Sequence, residues 1–111
     1  MTLPVVSHPR VQTFLDEAAT WWEVNRSPEQ AERWYIGFAH AIRSLGISPQ
    51  RHSLAAENDA FPFEVRELHY GLGSQPTHRA LFTIRQDCVY VFLIRHVAQR
   101  EVGPQDIGMD P

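Results

Sequence analysis

The chain contains no lysine and only one cysteine, Cys88, among 111 residues. One thiol cannot close an internal disulfide, so the fold cannot depend on a disulfide framework. Residues 1–10 show no basic-then-apolar leader, and together these absences predict a cytoplasmic protein. No apolar run approaches the roughly 18 residues of a membrane span, so no membrane partner is expected. Charge of one sign is not in excess: ten basic against thirteen acidic residues leave a formal charge of −3, without the global signature of a nucleic-acid binder. The six histidines are scattered, and no pair has zinc-like spacing, so neither a metal site nor a cofactor is expected. The GLG step at 71–73 lacks a phosphate-loop context, and no helix start or fixed base marks Cys88 as a nucleophile.

What is present fits one domain over 1–111, with 43% hydrophobic and 21% charged residues. A chain of this size buries roughly two-thirds of its unfolded surface, enough for a core without staples. Residues 1–10 and the Gly-, Pro- and Asp-rich 103–111 are expected as flexible ends. All ten basic residues are arginine, whose planar fork suits carboxylate or phosphate. Between Val65 and Arg100 five arginines face two acids, Glu67 and Asp87, so a near-neutral chain carries a local cationic region.

The first half reads as a helical hairpin. Val11, Phe14, Leu15, Ala18 and Trp22 follow helical spacing, and that helix should end near Asn25. Ser27-Pro28-Glu29-Gln30 then offers an N-cap, a proline for the first turn and a capping-box glutamine. Ala31, Trp34, Tyr35, Phe38, Ile42 and Leu45 share a face of the second helix, and Gly46 suits its C′ position. Trp21, Trp22 and Trp34 read as core or helix-interface residues. Residues 47–62 form a loop with one helical turn expected at 53–57. Strands are expected at 63–70, 81–84 and 89–94, with Gln86-Asp87 as the hairpin turn. Residues 2–6 are a weaker edge-strand candidate because of Pro4. A two-residue turn puts Ala80, Phe82, Ile84, Val89, Val91 and Leu93 on the helix-facing side. Arg79, Leu81, Thr83, Arg85, Tyr90, Phe92, Ile94 and His96 then lie on an open face, and Arg95 turns toward the helices. The fold class is α+β, a helical hairpin on one face of a small, mainly antiparallel sheet.

This order of elements resembles the RelE/ParE superfamily of type II toxin–antitoxin toxins over residues 11–100. Three segments carry the resemblance: SPEQAERWYIGFAHAIRSL as the second helix, FEVRELHYG with its R-E-L step, and HRALFTI followed by VYVFLIRHVAQRE as the closing hairpin. The R-H-x-A-Q-R ending is similar to the ParE-like, plasmid-stabilisation branch. The resemblance implies a growth-arresting toxin neutralised by a cognate antitoxin. The target that the resemblance implies is DNA gyrase, poisoned through protein contact. An alternative is mRNA on the ribosome, cleaved by a metal-free endonuclease, and a third is a degenerate binding module without toxicity.

For a nuclease, the resemblance assigns Arg79 and Arg100 to the scissile phosphate and its developing charge, with His96 as general acid or base. For a contact-acting toxin, Arg66, Arg79, Arg95 and Arg100 are the expected target- or antitoxin-binding residues. Arg51 and His52 are lesser candidates in the loop. The chain departs from the nuclease pattern in two places. No tyrosine follows Arg100, and Glu67 stands where a nuclease tends to place lysine.

Overall fold

Both helices begin at a proline, where the missing N–H is not needed. The computed structural model describes residues 2–107. In it, α1 (Pro9–Asn25) is capped by His8, whose Nδ1 accepts a hydrogen bond from the Arg10 N–H at 3.0 Å. The second helix, α2 (Pro28–Arg43), is capped as expected by Ser27, whose Oγ accepts from the Gln30 N–H at 3.1 Å. The two-residue connection folds α2 back onto α1. Val11, Leu15, Trp34, Phe38 and Ile42 turn inward from the two helices, in the phase their spacing predicts.

The helices cover one face of a four-stranded sheet ordered β1-β4-β3-β2. These strands are β1 (Val5–Ser7), β2 (Arg66–Tyr70), β3 (His78–Ile84) and β4 (Val89–His96). The two pairs β2–β3 and β3–β4 are antiparallel, whereas β1 runs parallel to β4. Residues 2–10, expected as a flexible end, thus carry an edge strand and the start of α1. Pro4 does not oppose this pairing, because only its carbonyl is used: it accepts from the Val89 N–H at 2.9 Å. Of the expected tail 103–111, Pro104–Asp106 form a 3-10 turn, and residues 108–111 lie outside the described residues.

The face expected to be open is covered. Residues 53–65 and Val102 fold over it and build a second core from Ala55, Phe61, Val65, Leu81, Phe92 and Val102. The single helical turn expected at 53–57 is replaced by 3-10 turns at Pro49–Arg51 and Asn58–Ala60.

The closing hairpin follows the predicted register only near its turn. Arg85 N–H donates to the Cys88 carbonyl at 2.8 Å, Ile84 pairs with Val89 and Thr83 with Tyr90. A bulge then intervenes: Phe82 pairs with Val91 but Leu81 with Leu93, leaving Phe92 as the extra residue. Because side chains alternate with period two, one inserted residue exchanges the faces beyond it. Ile94 and His96 therefore face the helices, while Leu93 joins Tyr90 and Phe92 against the loop core. The expectation that Arg79 and His96 share a face is thereby corrected. Arg95 pairs with Arg79, and His96 with His78.

Gly46 also differs from its expected role. It closes a 3-10 turn (Ser44–Gly46) that extends α2, and the reason for glycine is a close approach. An added Cβ would lie 2.3 Å from the Leu3 carbonyl oxygen, while the Leu3 N–H donates to the Gly46 carbonyl at 2.9 Å. Gly46→Ala is therefore expected to destabilise the protein by about 1–3 kcal/mol, as overpacking against backbone does. Urea unfolding checks this, and a midpoint at or above that of the parent would contradict it.

Candidate functional site

Arg79 is buried, at 7% exposure, among carboxylates. Its Nη1 donates to Glu57 Oε1 at 2.7 Å and its Nη2 to Glu57 Oε2, a two-pronged contact of the kind the arginine fork favours. Nη1 also reaches Glu67 Oε1 at 3.2 Å. Glu57 is 2% exposed and further accepts from the Val102 N–H at 3.1 Å. Burial works against the Glu57 charge, but the Arg79 and Val102 hydrogen bonds outweigh it and hold the carboxyl below its usual range. The Glu57 hydrogen bonds likewise raise Arg79 above the ordinary arginine value, against its burial. Glu67 in turn meets His69 Nε2 at 3.4 Å. The arginine expected on an open surface instead ties the covering loop, the C-terminal segment and β3 together.

The other expected arginines are also engaged. Arg66 donates through Nε to Glu64 at 2.9 Å and through Nη1 to the carbonyls of Gln50 and His52, securing the end of a 3-10 turn to β2. Arg95 Nη2 donates to the Arg100 carbonyl at 2.7 Å. Arg100 remains largely exposed, at 71%, but meets both Asp106 carboxylate oxygens at 3.1 and 3.3 Å. Arg100 and the Gly103 N–H draw the Asp106 carboxyl down to about 2.

His96 lies elsewhere, with His78, where β3 begins and β4 ends. Their rings are 5.2 Å apart. Facing them across a cleft of about 430 Å³ are Ala18, Trp21, Trp22 and Arg26, with Thr77 beside His78. Trp21 is 51% exposed, and the Arg26 guanidinium stands 5.7 Å from the centre of its ring. His78 sits among the rings of Phe14, Trp34 and Phe38, with Nδ1 2.8 Å from the Thr77 hydroxyl. Burial, and secondarily the neighbouring His96, push His78 from 6.5 down to about 4. His52 is also lowered, by burial and by Arg51 and Arg66.

The sign of the resulting pH dependence follows from which state binds protons. Between pH 6.5 and 4 the unfolded chain protonates His78 while the folded chain keeps it neutral. Stability is therefore greatest above pH 6.5 and falls as the pH drops through this window. His78→Phe should flatten much of that fall. Urea midpoints at pH 7.5 and 5 for both proteins check it, and an equally steep fall in His78→Phe would contradict the assignment.

No protein-family model matches the sequence. No curated protein matches it either. Among solved structures, a chain of the one described as the chromosomal ParDE TA system from P. aeruginosa superposes with a TM-score of 0.68 at 16% identity, over 86% of this chain and 97% of that one. The two chains share a fold. That is the fold implied by the resemblance to the RelE/ParE toxins, with two helices on a mixed sheet.

Within this ParDE-like fold the predicted basic residues do not form one cluster. Arg79 lies in the loop-covered core, Arg66 at the β2 edge, Arg95 and Arg100 beside the C-terminal segment, and His96 across the sheet at the helix side. Sequence reasoning missed Glu57, Trp21, Arg26 and His78 as members of the polar network and the cleft. Only Trp21 carried a local signal: it falls outside the inward face of α1 defined by Val11, Leu15 and Trp22. Among the described residues no helix is long and apolar enough to cross a membrane, and no three potential metal ligands converge.

Proposed function

We propose that this chain is the growth-arresting toxin of a type II toxin–antitoxin module, that it acts in the cytoplasm on DNA gyrase through protein contact, and that a cognate antitoxin neutralises it. The observation carrying the contact-based mechanism is the state of the arginines. Arg79 is held by Glu57 and Glu67, and Arg100 by Asp106. A phosphate-cleaving centre needs such cations aimed at the substrate's developing charge. Here that charge is already matched by the protein's own carboxylates. The same pairs suit a rigid docking surface. Arg100, with Arg95 beneath it, is its exposed contact, while Arg66 and Arg79 brace it from within. The shared fold with a ParDE chain supports the module.

Expression without a partner tests this reading. Growth arrest is expected, accompanied by an SOS response and continuing translation, and relieved by co-expression of a small antitoxin reading frame adjacent to the gene. Arg100→Ala should weaken the arrest while leaving the urea midpoint close to that of the parent, as exposed substitutions do. Harmless expression of folded protein would support a degenerate binding module instead. Ribosome-dependent mRNA cuts would establish the nuclease alternative, with His96 and the two arginines as its candidate groups.

A further inference from the structure

The cleft between α1 and the His78–His96 end of the sheet combines features that the functional reading leaves unused. Its volume, about 430 Å³, lies within the range of roughly 300–1,000 Å³ typical of ligand sites. Two indoles, Trp21 and Trp22, form one wall, and two imidazoles and Thr77 form the other side. His78 stays neutral at physiological pH, so the floor can accept an apolar group without stranding a charge. Arg26 stands at the wall as a cation without an ion-pair partner among the described residues, in contrast to Arg66, Arg79 and Arg100. Its position over the Trp21 ring orients the guanidinium next to the cleft.

The occupant follows from size, charge and surroundings. Trp21 is 51% exposed, so the indole wall of the cleft stays open to solvent beside the Arg26 guanidinium. Tryptophan and arginine are the residue types that anchor protein interfaces. We propose that the cleft receives one bulky apolar side chain from an acidic segment of a partner protein, with that side chain against Trp21 and Trp22 and a neighbouring carboxylate on Arg26. The identity of the partner as the antitoxin rests on the proposed function; the chemistry of the cleft does not.

The test uses the full-length, ¹⁵N-labelled chain and an acetylated, amidated pentapeptide of phenylalanine flanked on each side by two glutamates. The indole N–H resonances of Trp21 and Trp22 should shift saturably. The same peptide with alanine at its centre, and one with lysines in place of glutamates, should each bind at least tenfold more weakly. Trp21→Ala and Arg26→Gln should each weaken binding at least tenfold while circular dichroism and the urea midpoint stay near those of the parent. Absence of saturable shifts, equal binding of either control peptide, or unchanged binding by both variants would overturn the proposal. Tighter binding of 3-phenylpropionate than of the peptide would also overturn it, in favour of a small-molecule site. The two readings fail separately. A chain that binds the peptide but never arrests growth retains this inference and loses the toxin assignment, and one that arrests growth but ignores the peptide does the reverse.

Discussion

Replacing Glu57 with alanine is expected to destabilise the protein by about 3–5 kcal/mol, the range for removing one partner of a buried ion pair. The carboxylate is 2% exposed and receives the Arg79 fork and the Val102 N–H. Its loss leaves Arg79 buried with only the Glu67 contact at 3.2 Å, and leaves the Val102 amide without its acceptor. The damage should therefore extend beyond the pair, with faster hydrogen exchange at Val102. Removing both charges in Glu57→Met/Arg79→Met should cost much less than Glu57→Ala alone, because no uncompensated charge remains. Urea unfolding of the three proteins at pH 7 provides the comparison. A double variant as unstable as the single one would show that the network acts through shape rather than charge. Because the folded Glu57 carboxyl is lowered from 4.5, its contribution is present above that pH and is lost as the pH falls below it.

Trp34→Ala should have an effect of similar size, about 3–5 kcal/mol. Trp34 is fully buried and joins the helical hairpin to the sheet: its ring stacks with Trp22 at 6.5 Å and meets Phe38 edge-on at 5.5 Å and His78 at 5.3 Å. Truncation empties the centre of this group and removes support from beneath the cleft. Trp34→Phe should be markedly milder. It keeps an aromatic ring and deletes an indole Nε1 that is buried without a hydrogen-bond partner among the described residues. Thermal and urea unfolding should rank the parent and Trp34→Phe well above Trp34→Ala. Equal losses in the two variants would contradict this account of the core.

The contrast between these two sites shows what the sequence made legible. Trp34 belongs to a 3.6-residue pattern, and Ser27-Pro28 announces where that helix starts, so both the face and its boundary could be read locally. The Gln86-Asp87 turn was equally local. The network around Glu57 was not. Its partner Arg79 is 22 residues away, and Glu57 sits in a loop whose course over the sheet depends on Phe61, Val65 and Val102 packing on Leu81 and Phe92. The bulge at Phe92 has the same origin. VYVFLIRH is a continuous β-forming run in which nothing marks the inserted residue, yet that insertion moves His96 from the loop-covered face to the helix side. The edge strand was legible as a candidate at 2–6, but its parallel pairing with β4 was hidden by distance, since Val5 pairs with Val89. As a result the fold class could be read from pattern and resemblance, whereas the surroundings of Arg79, Arg95 and His96 depended on contacts distant in sequence.

The central claim is that this fold serves a protein that acts by binding its target rather than by cleaving phosphodiester bonds. Incubation of the purified chain with DNA gyrase, ATP and supercoiled plasmid tests it most directly, alongside a ribosome-programmed mRNA reaction under the same conditions. The account predicts linear, gyrase-linked plasmid in proportion to added protein, and intact mRNA. Cleaved mRNA in the ribosome reaction with no gyrase-dependent DNA breaks would contradict it.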